Sequence, residues 1–358
     1  MHRARGVTLG WLVIALWACG GCTTAKPRQM ADQRLQSRES PTGSRVLVEY
    51  DMEGAAGLDD WRMASAWWPE KYAAGQRLLT EDVNAVVAGL FEGGAAEVDV
   101  YDQHGAGQPG FNVLTELLDR RVRRLFHRHD GHEVMKNAYD AVLIVAAHAK
   151  TGTGGFMAHS NTFGIIQIFN GRSASETESH AYSWGEKGIP VIFVSGDDRL
   201  RDDLLPIMPW LEYVVTKRAL SPKAVELRPL DEVRLEMRAA AVRALRGLRK
   251  ARPLRLSRPV QAALRAVPPA DLSALRDVPG IHYVNGEVRF EAPTLQDAMR
   301  GLTALQWIAT EMGGQPVVAE LLKGMSNWSE IERRREAGFW ERWIELETER
   351  SRVAARTP

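Results

Sequence analysis

Residues 45–50 read Arg-Val-Leu-Val-Glu-Tyr and run directly into Asp51-Met-Glu53-Gly-Ala-Ala-Gly57. The first six residues are typical of a strand, and the glycines that follow predict a turn. Because residues i and i+2 of an extended segment point the same way, Asp51 and Glu53 are expected to lie side by side. Two adjacent carboxylates repel each other and are costly to bury, so a bound dication would stabilise them. On these residues alone, a surface acidic turn is an equally good interpretation.

Three further segments are predicted to be strands, at residues 96–101, 141–147 and 190–195. The first runs into Asp102-Gln-His104, and the second runs directly into His148. Strands that alternate with helical segments indicate a mostly parallel sheet, and ligands bind beyond the carboxyl ends of such strands. Asp51, His104 and His148 are therefore expected to converge at one edge of the sheet.

The pattern predicts an α/β protein, with a three-layer α/β/α arrangement around a mostly parallel sheet, a second, smaller α+β domain and a helical C-terminal tail. One helix is expected to begin near Thr80 as its N-cap and to end at Gly93. The predicted segments are a signal or lipoprotein segment at 1–22, a tether at 23–44, an α/β metal-binding catalytic domain at 45–230, a smaller α+β domain at 231–314 and a helical tail at 315–358.

Composition restricts the function classes that the chain can belong to. The 358 residues carry a formal net charge of +1, so charge gives no indication of nucleic-acid binding. The chain has two cysteines, Cys19 and Cys22, and both precede the predicted folded part. Cysteine catalysis and thiolate zinc sites are therefore excluded for the folded domain.

The N-terminus is typical of an export segment rather than of a folded element. A basic start and an apolar run at residues 7–18 are followed by small residues and the two cysteines, which resembles a bacterial lipobox. We expect an exported, periplasmic or cell-envelope lipoprotein that meets the membrane only through a lipid anchor. Either Cys19 or Cys22 could carry the lipid, and an ordinary cleaved signal or an uncleaved anchor is the alternative.

Histidines extend the candidate metal site. His104 and His148 are expected to converge with Asp51 and Glu53, and imidazole with carboxylate ligands suits zinc better than manganese or cobalt. Two metal ions would need a bridging carboxylate and one more acid than these residues supply. His159 lies in a glycine-rich segment, where it is either a further ligand or a mobile acid or base.

Two other features are assigned to no ligand site. Residues 126–132 resemble the zinc signature of metallo-β-lactamase-like hydrolases, but Asp130 is one place early and no apolar strand precedes it. A solvated basic loop is the better interpretation. The tail contains Trp328, Trp340 and Trp343 among charged residues. These are expected to mark packing or subunit contacts.

Taken together, several stretches resemble the bacterial zinc D-aminopeptidase family, whose founding member is encoded in a dipeptide-transport operon. The resemblance covers residues 45–314, more weakly after 230, and leaves out the N-terminal segments and the tail. The matching stretches, in the family's order, are Asp51-Met-Glu-Gly-Ala-Ala-Gly57, Asp102-Gln-His104, Ala147-His-Ala149, Gly155-Phe-Met-Ala-His-Ser160, Phe163-Gly164, Asn170-Gly-Arg172, Glu176 and Pro190-Val-Ile-Phe-Val-Ser-Gly-Asp-Asp-Arg199.

The resemblance implies a zinc-dependent aminopeptidase with two zinc ions per subunit. It would hydrolyse short peptides with N-terminal D-amino acids through a metal-bridged hydroxide, and it implies a homo-oligomer, because family members form rings, typically decamers. The family's catalytic histidine falls on His159. Its metal ligands fall on Asp51, which would bridge the ions, and on Glu53, His104, His148 and Glu176.

After Glu176 the chain departs from the family pattern. The family usually has Gly-Glu-x-Gly-x-Asn, whereas this chain has Ser175-Glu-Thr-Glu178-Ser-His180, so the surroundings of the acid differ. Two rival functions stay open, and this difference favours the first of them. One is a non-catalytic lipoprotein that binds peptides or wall fragments, and the other is a two-metal amidase or esterase on the same scaffold.

Overall fold

The computed structural model describes residues 43–106, 110–126, 134, 136–160, 164–267 and 271–311, together with part of the stretch 330–349. Within these ranges the strands are β1 (Ser44–Tyr50), β2 (Ala95–Asp102), β3 (Arg123–Phe126), β4 (Ala141–Ala147), β5 (Ile165–Phe169), β6 (Arg172–Ala174), β7 (Val191–Asp197), β8 (Glu212–Ser221), β9 (Ala224–Leu227), β10 (Val260–Ala266), β11 (His282–Val284) and β12 (Glu287–Ala292). The α-helices are α1 (Pro69–Glu92), α2 (Glu176–Glu186), α3 (Asp198–Leu204), α4 (Leu230–Arg246) and α5 (Leu295–Glu311), and short 3-10 turns occupy Trp61–Ala64, Leu248–Lys250 and Ser273–Leu275.

The larger sheet has seven strands in the order β3-β2-β1-β4-β7-β8-β9. All neighbouring pairs are parallel except β8 and β9. In the register, Tyr50 at the end of β1 lies opposite Asp102 in β2 and Val145 in β4. The polar residues that follow these strands therefore emerge at one edge of the sheet, as the sequence predicts.

Side chains of the central strands point alternately into two apolar layers. Val46 and Val48 are fully buried in one cluster with residues of α1 and α4. Leu47 is buried in a second cluster with residues of α2 and α3. The sheet therefore separates two helical layers, and the predicted three-layer α/β/α class is confirmed.

The smaller sheet has five antiparallel strands in the order β11-β12-β10-β5-β6 and packs against α5. Its strands β5 and β6 come from the predicted catalytic segment 45–230. Conversely, α4 (Leu230–Arg246) lies almost entirely in the predicted smaller domain but packs on the larger sheet beside α1. The predicted boundary at residue 230 therefore does not coincide with the division between the two sheets.

Helix α1 begins earlier than its sequence suggests. It starts at Pro69, and Thr80 lies in its middle, where the Thr80 hydroxyl donates to the carbonyl of Gln76 at 2.6 Å. The predicted N-cap at Thr80 is wrong, because proline at the first helical position provides an earlier start and the acids after Thr80 are internal. The predicted end at Gly93 is confirmed.

The described part of the C-terminal stretch 330–349 is helical. Its residues Trp340, Trp343 and Ile344 are buried in the same apolar cluster as α1 and α4. No helix within the described ranges has the length and apolar character that a membrane span requires. Cys19, Cys22 and the histidine-rich residues 127–132 lie outside the described residues, so the predictions for them stay predictions.

Candidate metal centre

A tightly packed turn places the two acids at the end of β1. The Gly54 amide donates to the carbonyl of Ala146 at 2.8 Å. A Cβ added at Gly54 would lie 2.0 Å from the backbone oxygen of Ala147, so this position requires glycine. The turn carrying Asp51 and Glu53 is thus pressed against the end of the neighbouring strand β4.

His104 meets both acids through one ring nitrogen. Its Nδ1 lies 2.9 Å from Asp51 Oδ1 and 3.3 Å from Glu53 Oε2. Its Nε2 lies 2.7 Å from the carbonyl oxygen of Ala64, which fixes Nε2–H as the donor and leaves Nδ1 facing the acids. A carbonyl on the far nitrogen is the usual way in which a protein orients a metal-binding imidazole.

His148 meets the shared acid from the other side. Its Nε2 lies 3.3 Å from Asp51 Oδ2 and 3.5 Å from Glu176 Oε1. Its Nδ1 donates to the carbonyl of Ala149 at 3.0 Å. Glu176 is the first residue of α2, and the N-cap Ser175 accepts from the amide of Glu178 at 3.1 Å to hold that helix start.

Asp51 therefore belongs to two groups of possible ligands. One group is Asp51, Glu53 and His104, and the other is Asp51, His148 and Glu176, with the ligand atoms of each group within 4.8 Å of one another. The two Asp51 oxygens face different groups, as a bridging carboxylate requires. The structure brings together all five residues on which the family's metal ligands fall, and their ligation of zinc stays a prediction.

His159 lies beside the second group. Its ring stacks on that of His148, with centroids 4.0 Å apart and an interplanar angle of 9°. Its Nε2 is 3.9 Å from Glu176 Oε1, and its Nδ1 donates to the carbonyl of Met157 at 2.8 Å. Glu53, His148 and His159 also lie within ligand distance of one another. Both roles predicted for His159, ligand or acid and base, fit this position.

Burial and neighbouring charges shift the pKa values of Asp51 and Glu53 in the turn after β1. Burial, with the charge of Glu53 beside it, raises the pKa of Asp51 to about 7. Burial also disfavours the Glu53 carboxylate, but the neighbouring His104 and His148 outweigh it and hold the pKa of Glu53 well below its usual range. The pair thus depends on cationic neighbours for its charge.

The pKa values of the three imidazoles also depend on burial and on the neighbouring charges. Burial lowers the pKa of His104 and His148, but the surrounding carboxylates outweigh it and raise both pKa values well above the ordinary one. For His159, burial and the nearby His148 lower the pKa. In the protein by itself, protons on imidazoles balance the acids. Dications bound by the same nitrogen and oxygen atoms would replace those protons, so the donor set fits zinc.

Hydrogen bonds from β8, which no sequence pattern indicated, support the turn that carries Asp51 and Glu53. Thr216 donates its hydroxyl to the Gly54 carbonyl at 2.6 Å, and Lys217 Nζ donates to the carbonyls of Glu53 and Leu58, each at 2.7 Å. Lys217 is fully buried, and burial lowers its pKa to about 7 despite nearby acids. The strand also contains Glu212, Thr216, Arg218 and Ser221, so no sequence pattern marked Lys217 as a buried residue.

The two departures from the family pattern have different environments. Glu178 turns away from the metal groups: its carboxylate accepts from the Ser175 amide at 2.8 Å and from Arg172 Nε at 2.7 Å. His180 Nδ1 lies 3.0 Å from Glu49 Oε2, and Trp184 Nε1 donates to the other oxygen of Glu49 at 2.9 Å. Glu178 is thus a structural residue, whereas His180 is held by an acid that the sequence analysis missed.

Comparisons with known proteins indicate one family. A protein-family model described as D-aminopeptidase matches residues 44–304. A D-aminopeptidase of Bacillus subtilis (strain 168) is 29% identical over 218 residues, which cover 59% of this chain and 77% of that protein. The solved structure of the Zn-dependent D-aminopeptidase DppA from Bacillus subtilis, described as a self-compartmentalizing protease, superposes with a TM-score of 0.68. At 24% identity it covers 74% of this chain and 98% of its own. The structural match supports the fold.

Proposed function

The chain belongs to the D-aminopeptidase family, and on that premise we propose that it is a two-zinc aminopeptidase of short peptides with an N-terminal D-amino acid. The observation that carries the proposal is the sharing of Asp51 between two groups of ligand atoms. A single metal site needs one such group. Two groups that meet at one carboxylate are the arrangement expected of a pair of ions.

Five residues would hold the zinc ions. Asp51 would bridge them, Glu53 and His104 would complete one site, and His148 and Glu176 the other. Nitrogen and oxygen ligands without thiolate suit zinc, and the carbonyls that accept from the far nitrogens of both histidines hold the rings for ligation. When bound, the ions would lower the pKa of a shared water and polarise the scissile carbonyl.

His159 is the residue of this chain best placed to move a proton. Hydrolysis adds water to the peptide carbonyl and breaks the C–N bond, so the departing amine must gain a proton. His159 Nε2 faces the metal groups while its Nδ1 is engaged with the Met157 carbonyl. Its Nε2 would accept the proton that the attacking water loses and pass it to the departing amine, or, once protonated, stabilise the developing oxyanion.

The preference for an N-terminal D-residue rests on the family and on the relatives' descriptions. A free α-amine could be held by a carboxylate of the centre, which would confine hydrolysis to the first residue of a peptide. Glu178, one of the two departures from the family pattern, is withdrawn into the capping network of α2. It therefore leaves the acids of the centre unchanged.

The test compares substrates on metal-defined protein. The purified protein is stripped with a chelator, reloaded with zinc, cobalt or manganese, and assayed with D-Ala-D-Ala, L-Ala-L-Ala and a simple ester. We expect two zinc ions per chain and hydrolysis of D-Ala-D-Ala in preference to the other two. Preferred cleavage of the ester would favour the amidase or esterase alternative, and inactivity with every metal would favour a non-catalytic binding lipoprotein.

The cellular context of the proposal is an exported lipoprotein that assembles as a homo-oligomer. The N-terminal sequence pattern supports the first part, and the self-compartmentalizing description of DppA supports the second. Mass spectrometry of Cys19→Ser and Cys22→Ser proteins would identify the lipidated residue. Light scattering of the purified protein would give its oligomeric state, and a monomer at micromolar concentration would contradict the assembly.

A further inference from the structure

The C-terminal stretch contacts His159. Trp340 lies edge-on to the His159 ring, with centroids 5.7 Å apart and planes at 89°. Trp340 also stacks on Trp61, with centroids 6.1 Å apart and an interplanar angle of 24°. Trp340 is only 7% exposed. It lies outside residues 44–304, which match the family, so this chain adds the contact from beyond the matched region.

The His159 ring is contacted from near and from far in the chain. His148 covers one face at a centroid distance of 4.0 Å, and the Met157 carbonyl accepts from Nδ1 at 2.8 Å. These two residues come from the same segment as His159 or from the end of the strand before it. Trp340, from a distant part of the chain, contacts the same ring edge-on.

Two more residues of the C-terminal stretch hold the loop that carries His159. Trp343 Nε1 donates to the carbonyl of Ala158 at 3.3 Å. The fully buried Glu347 accepts from the Gly152 amide at 2.7 Å. The stretch therefore contacts this loop on both sides of Gly154-Gly155. These contacts hold Trp340 at a constant position relative to the His159 ring.

We propose that Trp340 is a positioning residue for His159, supplied to the active site by the C-terminal stretch. The proposal rests on the proposed aminopeptidase function. Without the Trp340 ring, the His159 imidazole gains freedom to turn away from the metal groups, and proton transfer to the leaving amine slows. The metal ligands are untouched, so substrate binding stays the same. The loss therefore falls on kcat rather than on KM.

The test uses Trp340→Leu, which keeps an apolar side chain but removes the ring, and Trp340→Phe, which keeps an aromatic ring. With zinc-loaded protein and D-Ala-D-Ala, we expect Trp340→Leu to lower kcat about 10- to 100-fold. KM should stay within about twofold of wild type and zinc content should be unchanged. Trp340→Phe should recover most of the loss.

Two controls separate positioning from general packing. Ile344→Ala removes another buried side chain of the same stretch, one helical turn away, and should leave kcat close to wild type. In a His159→Ala background, Trp340→Leu should have no further effect, because the residue through which it acts is gone. An equal loss in that background, or from Ile344→Ala, would overturn the proposal.

A readout that needs no activity accompanies the kinetics. Hydrogen–deuterium exchange of residues 149–160 in the zinc-free protein should be faster in Trp340→Leu than in wild type or Ile344→Ala. Unchanged exchange would overturn the restraint on the loop. If zinc-loaded wild type cleaves no peptide, the proposed function fails. The exchange result then still decides whether Trp340 restrains the segment that carries His159.

Discussion

Glu176 and Glu178 stand two residues apart in the first turn of α2, yet their environments differ. The Glu178 carboxylate is fully buried, accepts from the Ser175 amide and Arg172, and has Lys150 Nζ at 3.9 Å. The Glu176 carboxylate instead lies beside the imidazoles of His148 and His159. One acid is neutralised by fixed cations and stabilises the helix start, whereas the other faces groups that a metal can engage.

The same contrast holds between the clusters to which these acids belong. Arginine remains charged, so an acid paired with it needs nothing further. The charge of acids that face imidazoles is neutralised only while the imidazoles are protonated. A metal ion can replace these protons and neutralise the acids instead. The difference predicts that one cluster contributes stability and the other contributes chemistry.

The largest effect is expected from Asp51→Asn, which weakens both proposed zinc sites at once. Bound zinc stabilises the transition state by several kcal/mol, so kcat/KM should fall by about 1000-fold or more. Zinc content, measured by elemental analysis, should fall with it. The zinc-free variant should be at least as stable as zinc-free wild type, because the substitution removes a charge that repels Glu53. Full zinc content in this variant would contradict a bridging role.

His159→Ala tests which imidazoles belong to the metal cluster. Removing a general acid typically costs about 100- to 10,000-fold in rate, and we expect a kcat loss in that range with both zinc ions retained. The measurement pairs turnover with zinc content on the same sample. Loss of zinc together with poor folding would make His159 a ligand instead.

Glu176→Gln and Glu178→Gln form a matched pair that tests the comparison directly. Mutation of a residue that only hydrogen-bonds to a metal ligand lowers metal affinity by roughly 10- to 100-fold. Glu176 is a proposed ligand itself, so Glu176→Gln should lower zinc affinity by at least that much. Competition with a chelator measures this change. Glu178→Gln should keep wild-type zinc affinity, but should lower the free energy of unfolding by about 1–3 kcal/mol, because its charged partners are left unsatisfied. A loss of zinc affinity in Glu178→Gln, with unchanged zinc affinity in Glu176→Gln, would contradict the different roles of the two acids.

The smallest effect is expected at His180, which Glu49 holds at the side of the centre. Burial lowers the pKa of His180, but the Glu49 charge outweighs it and raises that pKa to about 9. A pKa raised on folding stabilises the protein fully below the unfolded value of about 6.5, and this stability is lost as pH rises through 9. The stability difference between wild type and His180→Gln should therefore be about 2 kcal/mol at about pH 6, decline above about pH 6.5 and be mostly lost by about pH 9. Urea unfolding across this range measures it, and a difference that grows with pH would contradict the pairing.

Much of the site could be predicted because its residues follow buried strands. Apolar runs predicted β1, β2 and β4, and the register of parallel strands brings their carboxyl ends level, so Asp51, His104 and His148 had to meet. Local rules failed where burial overrode them. Thr80 has the sequence context of an N-cap, yet it lies inside α1, because the apolar face of the helix continues on both sides of it.

The α/β class, the ends of β1 and β4 and the residue types of the candidate centre could all be predicted from the order of the amino acids. These depend on short-range periodicity and on which atoms can bind a dication. Folding in three dimensions separated Glu176 from Glu178, paired His180 with Glu49 and brought Trp340 onto His159, a residue 181 positions earlier in the chain. The contacts of His180 and Trp340 join residues far apart in sequence, and no local pattern encodes them because packing of distant elements selects the partner.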